Sequence, residues 1–567
     1  MQLPGPEEHP AQLIALAAEF RALRGSEDGV PDYAATVRRQ KAALPGLRSR
    51  LEALDPSGWS VHEKIDFLLL RSEMDQLEFD LHVRKPTAAN PSFYVNEAIG
   101  QVRAHLTGGR YMGDPELMPF SRERARAVLA ALRNTEAVLQ QGRRNLTEMV
   151  PELADIALRH PGGGYFTAGG ELSHIVENYR KWAELTAPHF PEAEARQLVP
   201  AAVEAGERLL AFARWLESER PNMKGTYTLP EEVIDWYHRS VMFLPYTTDE
   251  LRLMAENERG RVLSYMQFEM HKNRHLPKIE PAEDLKQYLA WDDETALLLR
   301  RWYVEEDLLS DYDFMPKVES EPGEYILPFG LLAFPYDEKP DVRRILVVPD
   351  DHWRAEYSNM GFRTEPGVLH GHEYWPGHSY EGDLRRRLAC PIRRGHRDAA
   401  HSQGLMNYHE EMPVLLDFPY VRGPRGRELP WINQLQRAER VLLGLDLLTG
   451  KITPEEGFTL FRERVPPLGS GLGATREEAI EEMEGVLLRM GLDHGITGKL
   501  QLYRFLGERK MQLKDDFDFK QFNDQLMLHG NVPYSLLRWE VAGLDDEAME
   551  MWEPQRLTDI IASADRE

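Results

Sequence analysis

The sequence predicts a large, mainly α-helical protein with one small β-region near residues 321–353. Three observations carry that prediction. Apolar residues recur at three, four and seven over most of the chain, helix-start signatures punctuate it, and a single stretch changes to short apolar runs bounded by Pro and Gly. From Leu13 to about Leu216 the pattern is helical, as in the stripe Ala125, Val128, Leu132, Leu139, Leu146 and Met149. Breaks fall at Asp55-Pro56-Ser57-Gly58, at Pro86 to Pro91, at Gly108-Gly109 and at Pro161-Gly162-Gly163-Gly164, where fixed and permissive φ alternate as turns require. The glycine run lacks the Lys-Ser/Thr of a phosphate-binding loop and reads as a connector.

Between about Glu321 and Trp353, Tyr325-Ile326-Leu327, Leu331-Leu332-Ala333-Phe334 and Ile345-Leu346-Val347-Val348 read as strands. After Gly361 the helical pattern returns. Thr453-Pro454-Glu455-Glu456 and Thr475-Arg476-Glu477-Glu478 each place a hydroxyl at the N-cap and Glu at N3, the signature of a capping box. The acidic end from Asp545 to Glu567 reads as a final helix with a frayed tail. The expected organisation is an N-terminal helical half, 1–225, and a C-terminal half, 226–567, forming one continuous unit.

Composition narrows the partners. The chain has 567 residues, 68 Lys+Arg and 93 Asp+Glu, a net charge of −25. Such a field repels nucleic-acid phosphates and anionic bilayers, so neither is expected as a partner. The one cysteine, Cys390, excludes an internal disulfide and a cysteine-built zinc site. The first ten residues, MQLPGPEEHP, have no basic or apolar leader pattern, and no window reaches the ~18 consecutive apolar residues of a membrane span. These features together predict a soluble, cytoplasmic protein.

The stretch from Leu369 to His378 contains His-Glu-x-x-x-Gly-His, a variant of the zinc-protease motif. In the standard helix two imidazoles one turn apart bind one zinc, and the intervening Glu is the general base. Here His372 and His378 are six apart, which on a straight helix is about 240° around the axis and about 9 Å along it. They can share an ion only if the chain bends. Pro376-Gly377 supplies the bend, since Pro removes a helical N–H and Gly opens φ space. Without that fold-back the same residues are an ordinary polar helix and turn.

A catalytic zinc needs a third protein ligand, usually from a second helix downstream. The segment His401 to Met412 offers Gln403, Asn407 and Glu410 on one face, at i, i+4 and i+7, with Pro413 expected to end the helix. A cleft lining and a solvated helix fit this periodicity equally well.

With both segments in view, the chain resembles the bacterial family named domain of unknown function 885. That family carries His-Glu-x-x-Pro-Gly-His followed by a Glu-Gly-x-x-x-Tyr-x-Glu helix and is grouped with zincin metallopeptidases. Further likenesses lie at Asp66-Phe67-Leu68 to Lys85-Pro86, at Gly498 to Gly507, at Phe517 to Asp524 and at Gly530-Asn531-Val532-Pro533, in the family's order. The resemblance implies a zincin-like helical scaffold and a zinc-dependent peptidase. Its implied metal ligands are His372 and His378, its general base Glu373, and Tyr503 its candidate donor to the oxyanion. The expected substrate is a peptide or a small amide.

The departures matter as much. Gln403 stands where the family has its third-ligand Glu, and Ser379 stands where it has a further His. A neutral carboxamide is a poor zinc ligand. Gln403 binds weakly, or Glu410, His401 or His370 replaces it, or the protein is a metal-free, non-catalytic peptide-binding relative.

Overall fold

The computed structural model describes residues 10–25, 29–107, 121–159, 171–280, 282–322, 324–326, 329–332, 342–347, 365–465, 476–489 and 494–564. The protein is mainly α-helical. Twelve helices frame the argument. The first, α1 (Val61–Phe79), is followed by α2 (Pro91–Thr107), α3 (Arg122–Asn145), α4 (Ile175–Thr186) and α5 (Glu192–Glu219). Then come α6 (Thr248–Lys272) and α7 (Leu285–Glu305), and after the strands α8 (Gly367–Glu373), α9 (His378–Arg385), α10 (Ala399–Leu415), α11 (Leu429–Leu448) and α12 (Gly495–Leu513).

Helix starts follow local chemistry. Ser60 with Glu63 and Thr247 with Glu250 form capping boxes at α1 and α6, and Thr453 with Glu456 forms the one read from sequence. Thr475 lies outside the described residues, as do Gly108-Gly109 and the 161–164 connector. The last described residues include two short helices, Asp546–Glu550 and Leu557–Ala564.

Two apolar clusters dominate. One is built by α2 to α5 around Val95, Val128, Tyr179 and Phe212. The larger joins N-terminal residues such as Leu13, Phe20 and Leu68 to Leu405, Leu443, Leu502 and Leu536. The described helices before residue 80 thus bury apolar faces against the C-terminal helices, and the buried Arg393–Asp66 ion pair at 2.7 Å ties the same two regions.

The β-region is present as two separate ladders. β1 (Lys317–Pro322) pairs in parallel with β4 (Val342–Val347), and β2 (Glu324–Ile326) pairs antiparallel with β3 (Gly330–Leu332). Leu327, Ala333, Phe334, Val348 and Trp353 lie outside the described residues.

One boundary differs from expectation: Pro413 does not end α10, which continues to Leu415. Pro costs a helix the N–H that would bond the carbonyl four residues back, here that of His409. That carbonyl faces Gly371 of α8, where an added Cβ would stand 3.2 Å from it. The proline falls in the last turn, where only one ladder bond is lost.

Candidate metal centre and its hydrogen-bonded frame

The site begins with a chain reversal. α8 runs through His372 and stops at Glu373, Trp375–Pro376 is a cis peptide, and Gly377 is extended at φ −72°, ψ −155° before His378 opens α9. A Cβ on Gly377 would lie 2.1 Å from the His372 carbonyl oxygen. Only glycine lets the backbone return this closely. The reversal brings the His372 and His378 rings to 4.9 Å between centroids, nearly perpendicular at 85°. One ligand atom from each of His372, Glu373 and His378 lies within 4.8 Å of the others. Nitrogens bound to one zinc at ~2.0–2.1 Å stand somewhat closer than that, so a small contraction would close them on one ion.

α10 crosses behind this reversal. Its approach to α12 is set by two glycines: a Cβ on Gly404 would meet the Gly498 carbonyl carbon at 2.6 Å, and one on Gly498 the Ala400 carbonyl oxygen at 1.8 Å. From α10, Ser402 Oγ lies 3.3 Å from His378 Nδ1, and Gln403 Nε2 lies 3.1 Å from His378 Nε2. Two turns on, Glu410 Oε1 is 2.6 Å from His372 Nδ1.

Glu410 is fully enclosed. Burial works to raise its carboxyl, but Arg437 at 2.8 Å, His372 and Gln434 outweigh it and hold the group below the usual carboxylate range. An ionised carboxylate only accepts, so the short bond places the proton of His372 on Nδ1 and leaves Nε2 as the lone-pair nitrogen facing the cluster. This carboxylate–imidazole pairing is the usual outer shell of a metal-binding histidine.

The orientation of Glu410 traces one layer further. Lys499 Nζ, fully buried, donates to Gln434 Oε1, Glu258 Oε1 and Glu411 Oε2, each at 2.6 Å. An ammonium has no acceptor, so the Gln434 carbonyl must face Lys499 and its amide must face Glu410, where Nε2 stands at 2.9 Å. Arg261 closes the layer on Glu258 and Glu411, balancing two cations against two carboxylates.

The expected site residues therefore separate. His372, Glu373 and His378 are brought together, with Gln403 against His378. Glu410 lies behind the His372 ring, on Nδ1, not beside a shared ion. Tyr503 is enclosed near Tyr408, Glu411 and Arg261, with ring centroids 5.7 Å from Tyr408. Burial and the Glu411 carboxylate push its hydroxyl well above the ordinary tyrosine value, and the oxygen is sealed from solvent. His370 Nε2 lies 3.0 Å from Asp292 of α7, and His401 Nδ1 donates to the Val532 carbonyl at 2.6 Å, so both point to other partners.

Sequence reasoning missed Arg437, Gln434 and Lys499. Gln434 and Arg437 share a face of α11 at i and i+3, which is a faint signal. Lys499 had none, because a lone lysine in an amphipathic helix reads as solvated.

Residues 332–541 match the model of a family described as "Bacterial protein of unknown function (DUF885)". The matched segment contains His372, Glu373, His378, Gln403, Glu410 and Tyr503 and supports the resemblance read from sequence. No curated protein matches the chain. Two solved structures share the fold, each described as a "putative lipoprotein". The one from Shewanella oneidensis has a TM-score of 0.64 at 17% identity, over 93% of this chain and 96% of its own. The one from Colwellia psychrerythraea has a TM-score of 0.66 at 14% identity, over 94% and 99%. That description overturns the cytoplasmic location expected from the sequence. A lipid anchor belongs to a segment outside a fold, so neither the fold's composition nor one buried cysteine reports the compartment. Among the described residues, no helix is long and apolar enough to cross a membrane.

Proposed function

We propose, from a segment matching a family of unknown function, that this chain is a metal-dependent hydrolase of peptide or small amide bonds, zincin-like in its chemistry. The observation that carries the reading is His372 and His378 turned toward each other by the Pro376-Gly377 reversal, with Glu410 fixing the His372 tautomer at 2.6 Å. His372 and His378 would hold a divalent ion, which supplies Lewis-acid polarisation of a carbonyl and a more acidic water. The donors fit that group in two positions of three, because the third is the neutral carboxamide of Gln403.

The chain's own residues then divide the work. Glu373, whose side chain is 20% exposed beside His372, takes and returns the proton. Glu410 holds the His372 ring, Arg437 pairs with Glu410 at 2.8 Å, and Ser402 steadies His378 through Nδ1. Gln434 and Lys499 keep Glu410 facing its histidine.

A second reading rests on one contact. The neutral carboxamide of Gln403 lies 3.1 Å from the nitrogen of His378 that would bind a metal. On this reading the protein is a metal-free peptide binder. The two are separated by metal analysis of protein purified without chelator, with His372→Ala as control, and by Glu373→Gln against a peptide library. Stoichiometric zinc, lost in His372→Ala, with cleavage abolished in Glu373→Gln is the expected result. Absence of zinc sinks the hydrolase and leaves the binder.

A further inference from the structure

A serine inside a helix usually turns its hydroxyl back to the carbonyl four residues earlier. Ser402, at the end of the first turn of α10, does otherwise. Its Oγ lies 3.3 Å from His378 Nδ1, while the other ring nitrogen, Nε2, meets the Gln403 carboxamide at 3.1 Å. Hydroxyl, imidazole and carboxamide thus stand in a row with the imidazole in the middle.

These groups are also reachable. From His401 to Val414 every residue of α10 is buried except Ser402 and Gln403, and from Gly371 to Arg385 every residue is buried except Glu373, His378 and Ser379. The contacts of Ser402 and Gln403 with His378 join the two sets, so these residues share one opening to solvent.

A neutral imidazole has one N–H and one lone pair, so what Gln403 does at Nε2 decides what Nδ1 can do for Ser402. The two ends of a carboxamide have nearly the same shape, and half a turn about its last bond exchanges them. With the Gln403 amide nitrogen donating to Nε2, the ring proton sits on Nδ1 and points at Ser402. With the Gln403 oxygen accepting from Nε2–H, the lone pair sits on Nδ1 and accepts the Ser402 O–H. That second arrangement is a nucleophile on a base that a third group orients, the geometry of hydroxyl and thiol hydrolases, including those whose third group is a neutral carboxamide. The side chain that serves a metal poorly serves this role well.

We propose that Ser402 is a nucleophile, His378 its base and Gln403 the positioning residue of that base, and that the metal-free chain hydrolyses carboxylic esters through an ester on Ser402. In the first half, Oγ bonds the carbonyl carbon as its proton passes to His378 Nδ1, and the alkoxy group departs with that proton as the alcohol. In the second half, water bonds the same carbon and gives a proton to Nδ1, the bond to Oγ breaks, and Nδ1 returns the proton to Ser402 as the acid leaves. Ester and water become alcohol and acid, with no other reactant. The activity does not depend on the metal-dependent hydrolase: an Nε2 that holds the proton has no lone pair for an ion, so the two are alternative uses of one ring.

The test uses the full chain in chelator with two probes, p-nitrophenyl acetate for turnover and a fluorophosphonate, whose adduct on an activated serine is stable. Turnover of the acetate and a phosphonyl group mapped to Ser402 by mass spectrometry are expected. Ser402→Ala is expected to abolish both, and His378→Ala to slow both at least about 100-fold. Gln403→Leu is expected to slow them in part, while Gln403→Glu keeps them, because a carboxylate accepts from Nε2–H as the carboxamide oxygen does; thermal midpoints stay near that of the parent. No adduct on Ser402, or turnover unchanged in Ser402→Ala, overturns the proposal, and the mapping on the parent chain decides it even where a variant unfolds. Equal losses in the Leu and Glu variants overturn the part assigned to Gln403. An adduct on Ser402 in a chain that binds no zinc leaves this proposal standing and removes the metal-dependent hydrolase. Zinc with Glu373-dependent cleavage and an unmodified Ser402 does the reverse.

Discussion

At the scale of single residues the unusual feature is a carboxamide where a carboxylate is expected. Gln403 reaches His378 Nε2 at 3.1 Å, so the position is occupied by a group of the right length and the wrong charge. Its cost falls on ion affinity, because an anionic oxygen both donates more strongly to a hard or borderline cation and offsets its charge. Gln403→Glu is therefore expected to tighten zinc binding by at least about tenfold, read by competition with a chromophoric chelator. Glu410→Ala acts in the other direction and by another route. It removes no ligand, but it frees the His372 ring and leaves Arg437 unpaired beside it, and loss of such an outer partner costs about 10–100-fold in affinity. If Glu410 were itself the third ligand, its removal would abolish binding, so the size of the loss distinguishes the two roles.

At the scale of elements, the site depends on how closely backbones approach. α10 carries Ser402, Gln403 and Glu410 and is seated on α12 where Gly404 meets Gly498. A methyl group on Gly498 would fall 1.8 Å from a backbone oxygen that cannot swing aside, so Gly498→Ala must push the helices apart. Gly507, on the same helix, has nothing within 4 Å of its added Cβ, and Gly507→Ala gains helix propensity without a clash. The expected contrast is a loss of about 3 kcal/mol or more for the first and a gain of up to about 1 kcal/mol for the second, seen as opposite shifts in thermal midpoint. Equal effects would mean that the crossing is loose. These elements also show where sequence was informative. The bend between His372 and His378 was legible because Pro-Gly at that spacing has one geometric use, and the change of period near residue 321 was legible because strands and helices repeat differently. Pro413 misled, because a proline in a last turn forfeits one bond and does not break a helix. Arg437 and Lys499 were hidden for another reason: their function comes from partners on other helices, such as Glu410, His372 and Glu411, and no local pattern encodes that.

At the scale of the whole molecule, the buried ionisable groups fall into sets that oppose one another as pH changes. Burial raises the Asp75 carboxyl to about 6 and the Glu365 carboxyl to about 7. Such acids stabilise the fold fully below their unfolded values near 4, and that contribution is lost as pH rises through 6 to 7. Burial lowers His409 to about 3 and His238, which also faces His494, well below 6.5. Those histidines stabilise the fold above 6.5 and lose their contribution as pH falls. Between about pH 4.5 and 6.5 the unfolded chain binds more protons at the histidines and fewer at the acids, and the two slopes cancel in large part. Glu540 and Glu73 behave differently. Burial would raise both, but Arg393 and His62 outweigh it at the first, and His396 and Arg21 at the second, so each lies below the usual carboxylate range. Their stabilisation is present above about 4.5 and disappears as pH falls through their folded values. Below about 4.5 they act together with the histidines, and the opposing acids have by then reached their full contribution. Stability is expected to stay nearly level from pH 7 to 5 and to drop steeply below about 4.5, with net proton uptake on unfolding. Thermal midpoints measured across pH 3–8 check this. A steady decline starting at pH 7 would mean that Asp75 and Glu365 are ionised in the folded protein and that their burial is relieved by water or a partner.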